Sequence, residues 1–311
     1  MNISIRLSLC IPTYNRNISV LKQLAYLKNE LSSVDLSLIE ILVQDNASSD
    51  QTSEVLKEFQ KDNDWFSYYV NGENLGLVGN LNSLALKANG EFIWFIGDDD
   101  ILEPGLLNKV LNILQGNFSV SWIFLNHDVY YNYPGKPVFK TSFSGVSGYR
   151  EDGKNAITEI FLESGTSPMF ITACIYKSCH LTKYKSDQYS NELVKPLEYS
   201  FHSASMGSIY IEDSICIHNI WGATSWAEQQ MKIMYYDVNI VLRNLSQFSY
   251  TNKQIRQMLQ SRLSQFMLFQ LRNLIKDNGY SLELFKYYKL KHWTELITKI
   301  YEFLKNKYVF K

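Results

Sequence analysis

Near the N-terminus apolar residues form short unbroken runs, and between the runs they recur at helical spacing. Residues 7–11 read as a buried strand stopped by Pro12. Over residues 18–31, Leu21, Leu24, Leu27 and Leu31 share one helical stripe. Residues 38–43 predict a second strand, which ends at Gln44-Asp45. The polar turn that follows offers Ser and Asp side chains to cap a helix over residues 53–59. Residues 66–70 predict a third strand, 72–76 a loop, 77–88 a helix and 91–96 a fourth strand, which Gly97-Asp98-Asp99-Asp100 closes. Beyond it the pattern predicts a helix over 105–114, strands over 121–125, 170–176 and 208–218, a loop over 132–148 and a helix over 196–206. From 226 onward it is helical, with one helix over 226–248, a second from 251 to about 276 and a third after Ser281.

Strands and helices that alternate, with strands apolar throughout, imply an α/β protein with a mostly parallel sheet covered on both faces. Residues 1–225 are expected to form this Rossmann-like unit and residues 226–311 a C-terminal helical extension. Open sheets of this kind bind ligands beyond the carboxyl ends of their strands. Three polar clusters fall at such ends and should face one crevice: Pro12-Thr13-Tyr14-Asn15-Arg16, Asp45-Asn46 and Asp98-Asp99-Asp100.

Composition narrows the chemistry. A chain of 311 residues, 46% hydrophobic, can bury a sizeable core. A net charge of −1 lacks the basic excess of a nucleic-acid binder. Four cysteines without a Cys-x-x-Cys pair point to a reducing compartment, with Cys10 and Cys216, inside apolar runs, read as buried thiols. With no signal-peptide pattern and no spanning-length apolar run, the expected location is cytoplasmic. No phosphate-loop, dinucleotide, zinc-protease or nucleophile-elbow motif occurs.

Three adjacent carboxylates repel one another by about 1 kcal/mol per pair in water, and by several at an effective dielectric near 20. The triple aspartate therefore needs a cation or solvent. Oxygen ligands suit Mg²⁺ or Mn²⁺, which take one or two carboxylates together with substrate phosphates.

Four segments, in this order and spacing, resemble the family 2 glycosyltransferases with the GT-A fold. They are Ser8-Leu-Cys-Ile-Pro-Thr-Tyr-Asn-Arg16, Ile41-Leu-Val-Gln-Asp-Asn-Ala-Ser-Ser-Asp50, Asn74-Leu-Gly76 and Asn89-Gly-Glu-Phe-Ile-Trp-Phe-Ile-Gly-Asp-Asp-Asp100. The resemblance is good over residues 7–115, weaker to about 225 and absent beyond. It implies a nucleoside-diphosphate sugar donor, UDP-sugar favoured, with Mn²⁺ or Mg²⁺. It also implies a saccharide or lipid-linked saccharide acceptor in bacterial surface polysaccharide assembly, of the O-antigen or capsule kind. Pro12, Thr13, Tyr14, Asn15 and Arg16 would line the base and ribose, Asp45 would meet the base, and Asn74 and Gly76 match a loop near the nucleotide. Asn80 and Asn82 follow on the next helix, as ligands or as packing residues.

Strand alternation pairs Asp98 with Asp100 on one face. Counting from Gly90-Glu91 instead places Asp99 at the family's metal-binding aspartate and Gly97 where many members have their first. The count is preferred: Asp99 is the expected metal ligand, Asp98 a ribose or metal partner, and Asp100 a supporting group or the ligand in the alternative register.

The acceptor side is less defined. The Glu-Asp pair that many members carry before the last strand reads Lys195-Pro196 here, so Glu198 stands as the candidate general base, with Asp128 and Glu192 behind it. His218 is read as structural; Trp221 and Trp226 either stack on a sugar or fill core. From 286 to 311 the chain has seven lysines and two glutamates interleaved with apolar residues. This stretch suits peripheral contact with the inner face of the plasma membrane, or packing on its own domain or on a second copy in a homo-oligomer. Two other classes compete: a nucleotidyltransferase, disfavoured because residues 12–16 lack glycine, and a non-catalytic nucleotide-sugar-binding protein.

Overall fold

The structure is a computed structural model that describes residues 5–116, 119–131, 134–138, 140–182, 192–220 and 232–275, the last ten of these by backbone alone. Among them a nine-stranded sheet runs in the order β3-β2-β1-β4-β8-β6-β9-β5, with β7 paired to β9. Its first half is parallel. β1 (Leu7–Thr13) lies between β2 (Ile39–Asp45) and β4 (Phe92–Phe95), and β3 (Ser67–Val70) adds to β2 at the edge. Strand burial follows position: every residue of β1 but Pro12 is buried, whereas edge strand β3 is largely exposed.

Helices α1 (Asn17–Leu31), α2 (Thr52–Gln60) and α3 (Gly76–Lys87) connect these strands. The inward stripe of α1 is Val20, Leu24, Leu27 and Leu31, so Leu21 of the expected stripe lies at its half-buried margin. Gly90, just before β4, packs against β1 so closely that a Cβ there would lie 2.6 Å from the Ser8 backbone nitrogen.

The second half is mixed. After the short strand β5 (Ile101–Leu102) and α4 (Leu106–Gln115) comes β6 (Val120–Tyr130), which is longer than the 121–125 expected. Asn126, His127 and Asp128, beyond the expected end, are all buried within it. Their strand continues because Asn126 is satisfied by Phe143 and Asp213, and Asp128 by His218. β7 (Gly148–Arg150) and α5 (Gly153–Ser164) precede β8 (Cys174–Lys177). The strand expected over 170–176 begins as a 3-10 turn, Ile171–Ala173, because Thr172 turns inward to bond the end of β4.

α6 (Ser178–Thr182), α7 (Lys195–Ser205) and β9 (Ser208–Ile220) follow, with β9 parallel to β6 and antiparallel to β5. The helix expected over 226–248 is not one helix where it is described. A π-helical turn, Ile233–Asp237, leads into α8 (Val238–Asn244) and a 3-10 turn, Leu245–Phe248, which Ser249 ends at φ 62°. α9 (Asn252–Ile275) packs against α5, and Val238, Leu242, Tyr250 and Met258 join the central core. The expected boundary at 225/226, Trp221, Trp226 and the basic stretch 286–311 lie outside the described residues. No helix among the described residues is long and apolar enough to cross a membrane.

Gly90→Ala should destabilise the fold by about 1–3 kcal/mol, because the methyl group meets backbone that cannot move aside. Gly72→Ala, with nothing within 4 Å of the new Cβ, should be neutral or slightly stabilising. Chemical denaturation of the two variants checks the contrast.

Candidate functional site

The carboxyl ends of β1, β2 and β4 meet, as parallel neighbours must. Thr13 is opposite Asp45 in the β1–β2 register, and Gly97 to Asp100 turn away just beyond β4. Thr13 Oγ1 donates to Asp98 Oδ2 at 2.7 Å. Arg16, at the N-cap of α1, places Nη1 3.3 Å from Asp98 Oδ1 and also donates to Asp99 Oδ2. Thr13, Arg16, Asp98 and Asp99 therefore form one connected group across two strand ends.

The three aspartates are unequal. Asp98 is buried, which pushes its carboxyl up to about 6 against the opposing pull of Thr13 and Arg16. Asp100 is buried further, and burial together with the Asp99 charge pushes it up to about 8. Thr172 Oγ1 donates to Asp100 Oδ2 at 2.5 Å, and Asn219 Nδ2 to Oδ1 at 3.3 Å. Asp99 has a side chain 35% exposed and is the carboxylate that opens to solvent. Burial thus favours the neutral form of Asp100, and Arg16 offsets the charge of its neighbours.

Gly97 leaves room for the Asp100 side chain. A Cβ at 97 would lie 2.4 Å from Asp100 Oδ2, so the Asp100 carboxyl fills the space where a side chain at 97 would begin. Thr172 completes the corner, accepting from the Gly97 N–H at 2.9 Å. Thr172 and Asn219 escaped the sequence reading. They reach Asp100 from segments 72 and 119 residues away, and no local pattern marks such a contact.

The β1 and β2 loops are zipped together. Asn15, in the left-handed region at φ 54°, accepts from Ser49 N at 2.8 Å through Oδ1, and its own N–H donates to Ser48 Oγ at 2.8 Å. Asp45 is fully buried; it accepts from Ser48 N at 3.0 Å and from the hydroxyls of Ser48 and Ser53. The α2 cap is completed by Asp50, whose Oδ1 accepts from Thr52 N at 2.9 Å. Tyr14 lies on this rim with its ring 42% exposed, and Pro12 is half-buried beneath it.

Asn74 Oδ1 accepts from Asn46 Nδ2 at 2.8 Å and from Gly76 N at 2.9 Å. Asn46 also binds Asn71, which donates to Asn80. This amide cluster ties β2, β3 and α3 together and shows Asn80 in a packing role. Asn82 accepts from the Tyr199 hydroxyl at 3.0 Å.

Glu198 lies apart from the aspartates in the first turn of α7, buried and ion-paired with Lys195 at 3.0 Å. Glu192 contacts the start of α3, where its carboxylate would meet a Cβ on Gly76 at 2.6 Å. His218 is clamped between Asp128 Oδ1 at 2.6 Å and Glu103 Oε1 at 2.7 Å. The clamp joins β6 and the end of β5 to β9, and so helps to place Asn219 against Asp100. His127 differs: burial pushes it down to about 4, and the neutral ring packs edge-on against Phe170.

The donor set fits a hard divalent cation. Asp99 and Asp98 offer carboxylate oxygens, and no group of three His, Cys, Asp or Glu residues forms a closed metal site among the described residues. An ion here would complete its shell from water and substrate phosphate, as Mg²⁺ and Mn²⁺ do.

The sheet order, with nucleotide-type strand ends on its parallel half, is that of the GT-A glycosyltransferases. The computed structure superposes on S. aureus TarS 1-349 in complex with UDP-GlcNAc with a TM-score of 0.62 at 16% identity, covering 97% of this chain and 81% of that one. It superposes on the mannosyltransferase PcManGT of Pyrobaculum calidifontis, in complex with GDP-Man and Mn²⁺, with a TM-score of 0.60 at 12% identity, covering 99% and 88%. The family model for glycosyl transferase family 2 matches residues 8–170, more than half of the chain, and the chain belongs to that family.

Among curated relatives, the chain is 34% identical over 122 residues to the GalNAc(5)-diNAcBac-PP-undecaprenol beta-1,3-glucosyltransferase of Campylobacter jejuni, covering 39% of this chain and 38% of the relative. It is 37% identical over 97 residues to the abequosyltransferase RfbV of Salmonella typhimurium, covering 31% and 28%. The match thus spans about a third of the length of these relatives.

The raised carboxyls make a pH prediction. A folded pKa above the unfolded value stabilises the fold at low pH, and that stability is lost as pH rises through the folded pKa. The melting temperature of the metal-free protein should therefore fall between about pH 4 and pH 8, and Asp100→Asn should flatten most of that slope. Thermal melts across this range are the check.

Proposed function

We propose that this protein transfers a sugar from a nucleoside-diphosphate sugar, UDP-sugar favoured, to a saccharide or lipid-linked saccharide acceptor. The reading rests on one observation: the Thr13–Asp98–Arg16–Asp99 group, where the β1 and β4 ends meet beside the exposed ring of Tyr14. Supporting it are the UDP-GlcNAc and GDP-Man complexes of the structural neighbours and the undecaprenol-linked and abequosyl activities named for the curated relatives. The surface polysaccharide setting, and peripheral membrane contact with a lipid-linked acceptor, belong to the same proposal.

In this reading Tyr14 stacks on the base, and Pro12, Thr13 and Asn15 shape its rim. Asp45 holds the rim in place by bracing Ser48 and Ser53, and keeps one lone pair for the base edge. Asn74 closes the far side through Asn46. Asp98 faces the ribose, and Asp99 holds Mn²⁺ or Mg²⁺ with Asp100 in support. The cation supplies Lewis-acid neutralisation of the leaving diphosphate. The chain's own contribution is positioning and fixed charge. Glu198 remains the proposed base for the acceptor hydroxyl, held in direction by Lys195.

Thermal-shift screening of nucleotide-sugars with and without Mn²⁺ tests the reading. Stabilisation by a UDP-sugar that needs Mn²⁺ is the expected result; no shift with any nucleoside diphosphate would sink the proposal. Asp99→Asn should remove the metal requirement while leaving the unliganded melt within a few degrees of the parent.

A further inference from the structure

Asp99, the carboxylate proposed above for the divalent cation, already accepts a hydrogen bond from Arg16. The guanidinium is anchored for this contact. Arg16 caps α1, its backbone N–H donates to Thr52 Oγ1 at 3.1 Å, and Nη1 also reaches Asp98 Oδ1 at 3.3 Å. The side chain is 32% exposed, so it has an open path by which to swing away. A cation on Asp99 and the guanidinium beside it would repel each other, so each weakens the other's hold on the carboxylate.

We propose that Arg16 is an exchangeable counter-ion. It holds Asp98 and Asp99 until the divalent cation takes Asp99, and then turns to the diphosphate of the donor. This rests on the nucleotide-sugar reading above and adds to it an order of events within the site. Three observations support it. First, the guanidinium bridges the exposed carboxylate and a buried one, so it offsets repulsion that would otherwise open the turn. Second, Thr13 bonds the other oxygen of Asp98, so the turn has a tie that does not run through Arg16. Third, a guanidinium is weakly hydrated and fits a phosphate through paired N–H groups, which makes the exchange chemically natural.

The exchange makes opposite predictions for metal and nucleotide. Removing the guanidinium should ease metal entry but weaken the grip on diphosphate. Mn²⁺ binding without nucleotide can be followed by the electron paramagnetic resonance signal of the free ion, and UDP binding at saturating Mn²⁺ by calorimetry. Arg16→Gln should bind Mn²⁺ about fivefold to tenfold more tightly than the parent and UDP about tenfold more weakly, in line with the loss of one partly exposed ion pair and one charge-assisted phosphate contact. Arg16→Lys keeps the charge but not the fork; it should lie between the two for Mn²⁺, and it keeps the test readable if the glutamine variant folds poorly.

Mn²⁺ affinity unchanged or lower in Arg16→Gln would overturn the proposal, because no competition would then exist. Mn²⁺ binding by the variant alone would support it strongly. If neither protein takes up Mn²⁺, the exchange is overturned. Binding of UDP to the parent without metal then decides separately whether the nucleotide-sugar reading stands.

Discussion

The hydrogen bond from Thr13 to the buried Asp98 carboxylate is the contact on which the site depends. It joins the end of β1 to the turn after β4, its parallel neighbour. Burial raises the cost of ionising Asp98, and the hydroxyl and the Arg16 guanidinium recover part of it. Once Asp98 is fixed, Asp99 has little choice but to face the crevice, and Asp100 turns under Gly97 toward Thr172. Three chemically identical residues thus differ: Asp98 anchors the turn, Asp99 is the exposed carboxylate, and Asp100 is buried with its carboxyl pushed up.

The surrounding structure serves this corner from both sides. On the β1 and β2 side, Asn15, Asp45 and the Asn46–Asn71–Asn74 amides tie the loops together through side-chain hydrogen bonds. Toward the second half of the sheet, Thr172 and Asn219 close over Asp100, and the His218 clamp holds β9 against β5 and β6. A rigid sheet end that carries one exposed carboxylate and one movable guanidinium is suited to gripping a charged ligand without rearranging its backbone.

Much of the first half was legible because its signals are local. Continuous apolar runs mark buried parallel strands, and helical stripes mark their crossovers, so the strand ends and their polar clusters could be placed by counting. The contact of the Asp100 carboxyl with the space beside Gly97 was not visible in sequence. The second half was harder to read. Asn126 and Asp128 lie inside a strand because distant partners satisfy them, and the strand expected at 170–176 starts late because Thr172 is needed elsewhere. The helix after 232 is broken by a π-turn that no Pro or Gly announces. These features arise from tertiary contacts, which one-dimensional periodicity does not encode.

The central claim is that Asp99 is the carboxylate that receives a divalent cation together with a nucleoside diphosphate. A crystal of the protein grown with UDP and Mn²⁺, with data collected near the manganese absorption edge, tests it most directly. The account predicts an anomalous peak bonded to an Asp99 oxygen and to the diphosphate, with Arg16 moved off Asp99. A manganese peak elsewhere, or bound UDP with Arg16 still on Asp99 and no metal beside it, would contradict it.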